Sequence, residues 1–221
     1  MKFGILGPSK FVQKASAVAQ SEFPNITPVP LVYEKYTDAP ALVRAAQKKL
    51  DGILFTGTTP YLLCKEKVQP LLPWEAVPRR GSSLLCALLT ALLHFHCDIR
   101  KLSFDSYGTR ILTEAYGEIG LVPQTVNIWK APRNPCAPDY LDELVHFHES
   151  LYRQGDVTCC LTAMNSVYQT LNAKKIPVVL IEPTKNIYRE ALTQLQQKYL
   201  IQKLRRSQLT VICIHIDTPA A

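Results

Sequence analysis

The stretch "LDGILFTGTTP", residues 50–60, joins a run of apolar residues to a cluster of small hydroxyl side chains. The apolar part, residues 52–56, predicts a buried strand, and a short helix is expected from Pro60 to Lys67. The cluster between them, Thr56-Gly57-Thr58-Thr59, has two interpretations. It is either an ordinary turn or a ligand site at the carboxyl edge of a sheet.

Strand and helix signals alternate along nearly the whole chain on both sides of this stretch. Strands are predicted at 2–6, 26–33, 52–56, 74–78, 101–104, 125–129, 157–161 and 176–181. Helices are predicted at 10–22, 38–49, 60–67, 109–116 and 138–152. Two more are predicted to start at residues 81 and 187, and one follows Ser166 and ends at Ala173. Ser9 is expected to cap the first helix, and the two prolines in 26–33 place that strand at a sheet edge. Such alternation favours parallel sheets covered by helices.

The alternation repeats in two halves of the sequence. "DGILFTGTTPYLL" aligns with "DVTCCLTAMNSVYQTL" so that Thr56 meets Thr162, and Ala87-Leu88 meets Ala191-Leu192 at a nearly equal offset. We therefore expect an α/β fold of two pseudo-symmetric parallel-sheet subdomains that face each other across a cleft. The predicted domains are residues 1–97, residues 98–195, and a remainder at 196–221, with the hinge near Cys97–Lys101.

Composition and motifs restrict the function. The chain is 47% hydrophobic and carries a formal charge of +7, without a run of five or more Lys or Arg. No signal peptide, membrane-spanning run or Cys/His metal spacing is present, so we expect a cytoplasmic protein with no membrane contact and no metal. Cys159-Cys160 are expected to be buried free thiols, and the histidine pairs 94/96 and 146/148 to be partly exposed helix residues. Because no GxGxxG, GxxxxGK[ST], GxSxG or HExxH motif occurs, we expect no cofactor and no enzyme activity.

The loops that follow the predicted strands contain the candidate ligand-binding residues. In an open parallel sheet, ligands bind beyond the carboxyl ends of the strands, where helix N-termini attract anions. These loops are rich in hydroxyl, amide and cationic side chains, which favours a small anionic or polar ligand in the cleft. Each hydroxyl or amide taken singly is also an ordinary helix cap. The candidates are Ser9, Lys10, Thr56, Gly57, Thr58, Thr59, Arg79, Arg80, Ser82, Ser83, Tyr107, Thr109, Thr162, Asn165, Ser166, Thr184 and Asn186.

Four short segments, Thr56-Gly57-Thr58, Gly81-Ser82-Ser83, Ile176-Pro177-Val178 and Asn186-Ile187, carry a resemblance to a known family. The chain resembles the amino-terminal sensor domain of propionate-catabolism-type bacterial transcriptional activators over roughly residues 1–195. The resemblance implies a two-subdomain fold, periplasmic-binding-protein-like or chelatase-like, that senses a small metabolite for an attached effector. The Arg79-Arg80 pair departs from the family pattern, so the resemblance does not transfer a ligand.

The end of the sequence leaves two alternatives for its last helix. Tyr188, Leu192, Leu195 and Tyr199 form a stripe that either pairs protomers in a homodimer through residues 187–206 or packs on its own domain. The stretch "QLTVICIHIDT" from Gln208 predicts a strand that begins a downstream output domain. We expect no direct nucleic-acid contact by this portion. A racemase-like enzyme of duplicated α/β fold and a cytoplasmic solute-binding protein are the alternative functions.

Overall fold

The computed structural model describes residues 1–122, 126–130, 134 and 137–206. The strand predicted from Gln208 lies outside the described residues, as does the beginning of the strand predicted at 125–129. The two halves of the sequence form two separate parallel sheets, as the repeat predicts.

Both sheets have four strands, and their strand orders are equivalent. The first sheet has the order β2-β1-β3-β4 and the second the order β6-β5-β7-β8. The strands are β1 (Lys2–Gly7), β2 (Thr27–Val32), β3 (Gly52–Phe55), β4 (Trp74–Ala76), β5 (Leu102–Phe104), β6 (Asn127–Ile128), β7 (Cys159–Thr162) and β8 (Val178–Leu180). Strand β2 lies at a sheet edge, where its two prolines remove no hydrogen bond from a central ladder, so that prediction is confirmed.

A helix follows every strand. The helices are α1 (Ser9–Glu22), α2 (Ala39–Ala46), α3 (Thr58–Lys67), α4 (Gly81–Phe95), α5 (Thr109–Glu118), α6 (Tyr140–Gln154), α7 (Asn165–Ala173) and α8 (Lys185–Arg206). The expected cap at Ser9 is wrong, because Pro8 occupies the N-cap position of α1 and Ser9 is the first residue of the helix. Helix α3 begins two residues earlier than predicted, so part of the hydroxyl cluster lies in its first turn. Within the described residues, no helix is both long and apolar enough to cross a membrane.

The last helix of each half packs on the sheet of the other half. Helix α4 follows β4, but its buried Ala87 and Leu88 lie in one apolar cluster with Phe104 of β5. Helix α8 follows β8, and its buried Ala191 and Leu192 lie in the cluster around β1. We call β1–β4 with α1–α3 and α8 the first lobe, and β5–β8 with α4–α7 the second lobe. The chain therefore crosses between the lobes twice, before α4 and before α8.

The apolar stripe of α8 is buried within the chain. Tyr188, Leu192 and Leu195 are 1%, 0% and 0% exposed, and they pack against the first sheet. Tyr199 meets Phe3 edge to face, with ring centroids 6.1 Å apart. Burial of one such side chain stabilises the fold by roughly 1.5–3 kcal/mol. The structure therefore favours packing within the chain over pairing of protomers, but the stripe covers the sheet of the first half and not that of the half to which α8 belongs in sequence.

Candidate functional site

A cavity lies between the lobes, at the carboxyl ends of both sheets. Its volume is about 80 Å³, and residues from both lobes line it. The crossover before α4 contributes Val77, Pro78 and Arg79 to the lining, and the crossover before α8 contributes Ile181 and Pro183. A molecule bound here would contact both lobes and both connections between them.

The structure brings nine of the seventeen candidate residues together around this cavity. They are Thr56, Gly57, Thr58, Thr59, Arg79, Ser83, Tyr107, Asn165 and Ser166. Thr59 and Met164 lie in contact across the cleft, with the Thr59 hydroxyl 3.5 Å from the Met164 sulfur. The ends of β3 and β7, which the sequence repeat aligns, therefore face the same space.

The other eight candidates lie outside the cavity lining, and several have partners there. Lys10 forms an ion pair with Glu182, as does Lys14, and Arg80 pairs with Glu190 of α8. The Asn186 side chain accepts a hydrogen bond from Arg189 at 2.5 Å. Four of the remaining five are exposed or half-buried at helix starts, namely Ser9, Ser82, Thr109 and Thr184. The fifth, Thr162, is buried beneath the cavity.

Sequence reasoning missed an aromatic and acidic part of the lining. Phe11, Tyr33 and Tyr36 are buried against the cavity, and Glu34 lies exposed at its rim. Tyr33 and Glu34 directly follow β2, so the rule that places ligands at the carboxyl ends of strands would have found them.

Arg79 and Glu34 bring one positive and one negative charge to the lining. Arg79 is half-buried, and its charge acts on the neighbouring Tyr107. Burial raises the pKa of Tyr107 to about 12, although Arg79 and a hydrogen bond with Ser83 act in the opposite direction. Tyr107 is therefore a neutral phenol near pH 7, and its hydroxyl lies 3.5 Å from the Arg80 carbonyl.

Helices α3 and α7 both point their N-termini at the cavity. Gly57 and Met164 are their N-cap residues, and among the described residues no side chain caps either helix. A Cβ atom added at Gly57 would meet nothing within 4 Å, so this glycine leaves open space beside the first turn of α3. First-turn N–H groups without side-chain caps are donors that suit a carboxylate or another anion.

A buried polar network lies directly beneath the second lobe's part of the cavity. Asp105 accepts hydrogen bonds from Ser106 and, at 2.6 Å, from Thr162. The Ser106 hydroxyl accepts the Ala163 N–H at 3.1 Å, and the Thr162 hydroxyl accepts the Met164 N–H at 3.0 Å. The Asp105 carboxylate therefore positions, through two hydroxyl groups, the loop that lines the cavity ahead of α7.

His148 of α6 provides the opposite charge in this network. Its Nε2 lies 3.3 Å from Oδ2 of Asp105, and its Nδ1 lies 2.7 Å from the Ser103 hydroxyl. Burial alone would raise the pKa of Asp105, but His148 and the two hydroxyl donors outweigh it and hold the pKa low. Burial would lower the pKa of His148, but Asp105 and then Cys160 raise it to about 9.

The expectation that His148 is partly exposed is wrong, since the residue is 0% exposed. His146 is exposed, as expected, because successive side chains on a helix point in different directions. Cys159 and Cys160 are buried free thiols, which confirms that prediction.

No protein-family model matches this sequence, and no curated protein matches it. The fold is similar to the crystal structure of an NtrC family transcriptional regulator from Clostridium acetobutylicum, with a TM-score of 0.67 at 13% identity over 91% of this chain and 98% of that chain. The transcription regulator CcpA of Lactococcus lactis aligns over 98% of this chain and 96% of that chain at 11% identity, but its TM-score of 0.44 does not establish a shared fold. The two parallel sheets and the first likeness confirm the predicted α/β fold of two parallel-sheet subdomains. The likeness agrees, at the level of fold, with the resemblance to a bacterial transcriptional regulator.

Proposed function

We propose that this chain is the sensing domain of a transcriptional regulator and binds a small polar or anionic metabolite between its lobes. One observation supports this most directly: a single cavity is lined by the carboxyl ends of both sheets and by both crossover segments. A ligand at this position stabilises the arrangement in which the lobes are closed, because it contacts both of them. The similarity in fold to an NtrC family transcriptional regulator supports the same proposal.

The crossover before α8 suggests how binding would be transmitted. Helix α8 starts at the cavity, just after Ile181 and Pro183, and lies against the first lobe. Closure of the second lobe on the first would move this crossover and change the angle between α8 and the second lobe. We propose that an output domain reads this change, and that the sensing takes place in the cytoplasm. Since the stripe of α8 is buried, a homodimer through residues 187–206 would use the exposed Leu200, Ile201 and Leu204.

A racemase-like enzyme is the second candidate, and the residues at the sheet ends argue against it. Such an enzyme needs one cysteine from each half, facing each other as an acid/base pair. The equivalent positions at the ends of β3 and β7 hold Thr56 and Thr162. Among the residues that the structure describes, no cysteine lines the cavity.

A thermal-shift screen of metabolites, with the adjacent arginines as matched variants, tests the proposal. A ligand present at about 100 times its dissociation constant stabilises the fold by about 2.7 kcal/mol, or roughly 5–10 °C for a chain of this size. We expect Arg79→Ala to remove most of this shift, because Arg79 lines the cavity. Arg80→Ala should retain it, since Arg80 pairs with Glu190 outside the lining. An equal loss in both variants, or no binder in the screen, would contradict the proposal.

A further inference from the structure

We infer that the chain pairs with a second copy of itself through the outward face of helix α4. The inference goes beyond the proposed function, which considers only α8 for a dimer contact, and it does not depend on the ligand. It follows from three properties of this face: its exposed leucines, its lack of charge, and a groove that lies beside the leucines.

Helix α4 has exposed leucines where its counterpart in the repeat, α8, has polar side chains. Leu89, Leu92 and Leu93 are 55%, 44% and 58% exposed. Their counterparts, at the offset that sets Ala87-Leu88 opposite Ala191-Leu192, are Thr193, Gln196 and Gln197. Both helices cover a sheet with their inner faces, so the fold itself does not require leucine on the outer face. Clustered apolar side chains at such a position indicate a surface that another molecule covers.

The outward face of α4 also carries no formal charge. No Asp, Glu, Lys or Arg occurs from residue 81 to residue 97, whereas the whole chain has a formal net charge of +7. A partner of opposite charge would be selected through charged groups, which this face lacks. Two copies of a basic chain repel each other, and a face without charge is where they approach at the lowest cost. Because the partner's face is identical, no unpaired charge is buried when two copies meet.

The size of the apolar surface suits the core of a dimer interface. Phe95, at the end of α4, is 45% exposed and adds to the surface of the three leucines. Four large apolar side chains that are each about half exposed present roughly 400 Å². A standard interface buries about 800 Å² on each partner and combines an apolar core with a polar rim. The face of α4 therefore supplies about half of such an interface, and the surrounding polar surface supplies the rim.

A groove beside the leucines makes this face self-complementary. The groove has a volume of about 390 Å³ and lies between α4, α7 and β8. Cys86 and Thr90 of α4 line it, and Leu89 and Leu93 follow them by three residues each, so leucines and groove are neighbours on the helix surface. A twofold axis pairs the same patch on both copies. The leucines of each copy would then enter the groove of the other, which favours a second copy over an unrelated partner.

Sedimentation velocity of the full chain, with two matched pairs of exposed leucines as variants, tests this inference. Interfaces of standard size have dissociation constants from micromolar downward, so we expect wild type to be a dimer at about 100 μM. The variant Leu89→Glu/Leu93→Glu should associate at least a hundredfold more weakly, because each copy would bury two charges in place of two apolar side chains. The matched variant Leu200→Glu/Leu204→Glu changes a pair with the same spacing on α8, 45% and 67% exposed, and should remain a dimer. Circular dichroism checks that both variants fold.

Chemical cross-linking locates the contact independently. Among the cysteines that the structure describes, only Cys86 is exposed, and it lines the groove. A short bismaleimide should therefore link two copies of the wild type through Cys86. We expect Cys86→Ser to remove most of the linked product while leaving the sedimenting dimer in place.

Several results would overturn the inference. A wild type that stays monomeric at about 100 μM would do so, and so would a dimer that persists in the α4 variant. Loss of the dimer in the α8 variant, alone or together with the α4 variant, would place the contact on α8 instead. Cross-linking that does not depend on Cys86 would contradict a contact at the groove. None of these results bears on the sensing proposal, which the thermal-shift screen tests separately.

Discussion

The carboxyl ends of β3 and β7 occupy equivalent places in the two sheets, but their polar chemistry differs. In the first sheet, Leu6 of β1 pairs with Phe55, which sets the next residues, Gly7 and Thr56, side by side. In the second sheet, the same step beyond the pair of Phe104 and Leu161 brings Asp105 beside Thr162. The first lobe therefore has a glycine where the second lobe has a buried carboxylate.

The two lobes consequently hold their cavity loops in different ways. A Cβ atom on Gly7 would lie 1.8 Å from the Thr56 hydroxyl oxygen, so the first lobe requires a residue without a side chain there. The buried Thr56 hydroxyl has no hydrogen-bond partner among the described residues, and the backbone alone continues the ladder, with the Thr56 N–H bonded to the Leu6 carbonyl at 2.9 Å. In the second lobe, Asp105 and the Ser106 and Thr162 hydroxyl groups hold the loop before α7 through hydrogen bonds. The repeat thus preserves the backbone topology and leaves the chemistry at the sheet ends free to differ.

The largest effect is expected from the substitution Asp105→Asn. It removes the charge that balances buried His148, and breaking a buried pair in this way costs about 3–5 kcal/mol of unfolding free energy. Urea denaturation followed by circular dichroism measures the loss. The control is Asp98→Asn, which removes a half-buried carboxylate at the surface that pairs with Arg100, and it should have a much smaller effect. A loss below about 1 kcal/mol for Asp105→Asn would show that the network does not hold the second lobe.

The next largest effect is on how the unfolding free energy changes with pH, and we expect it in the wild type but not in Asp105→Asn. The folded pKa of His148 is raised to about 9, so its stabilisation is fully present below the unfolded pKa near 6.5 and is lost as the pH rises through 9. The pKa of Asp105 is lowered, so its stabilisation is present above the ordinary value near 4 and is lost as the pH falls below it. The difference in unfolding free energy between wild type and Asp105→Asn should therefore fall by about 3 kcal/mol between pH 6.5 and 9.

Urea denaturation at a series of pH values measures this difference. Buried thiols such as Cys64, whose pKa burial raises to about 12, also make stability depend on pH in the alkaline range. They are present in both proteins, so their contribution cancels in the comparison. A difference that stays constant from pH 6 to 9.5 would mean that His148 is not charged in the folded state.

The sequence predicted the first lobe and the second lobe equally well at the level of strands and helices. Apolar runs that end on Gly, Ser or Thr, such as residues 52–59, suffice to place the strands because parallel pairing follows from the helical crossovers. The pattern could not show that α4 and α8 pack on the opposite sheets. Both helices have apolar faces, and the periodicity of a face does not identify the surface that it covers.

The candidate site was predictable only where it follows the carboxyl ends of the strands. That rule gave Thr58, Arg79 and Asn165, and applied to β2 it would have given Glu34 as well. His148 could not be found in this way, since its neighbour His146 looks the same in sequence and only the packing of α6 buries one of the two. Local pattern identifies residues at a sheet edge, but long-range packing selects which of them meet.

The smallest expected effects come from the paired substitutions Thr162→Val and Thr56→Val, and they test the comparison most sharply. The Thr162 hydroxyl donates to Asp105 at 2.6 Å and accepts from the Met164 N–H at 3.0 Å. Its loss removes one donor from the buried Asp105 carboxylate and the acceptor of the half-buried Met164 N–H, and should cost about 1–3 kcal/mol. Among the described residues the Thr56 hydroxyl has no partner to lose, so Thr56→Val should leave the unfolding free energy unchanged or raise it, because a buried group without a partner is removed.

Hydrogen exchange adds a local measurement to the two denaturation curves. Only Thr162→Val should speed exchange of the Met164 amide, because only that variant removes the acceptor of its hydrogen bond. Equal losses of stability in the two variants, with unchanged exchange at Met164, would mean that the threonines have the same role in both lobes. Unequal losses, with faster exchange at Met164 in Thr162→Val alone, would instead establish that side chains hold the cavity loop of the second lobe whereas the backbone holds that of the first.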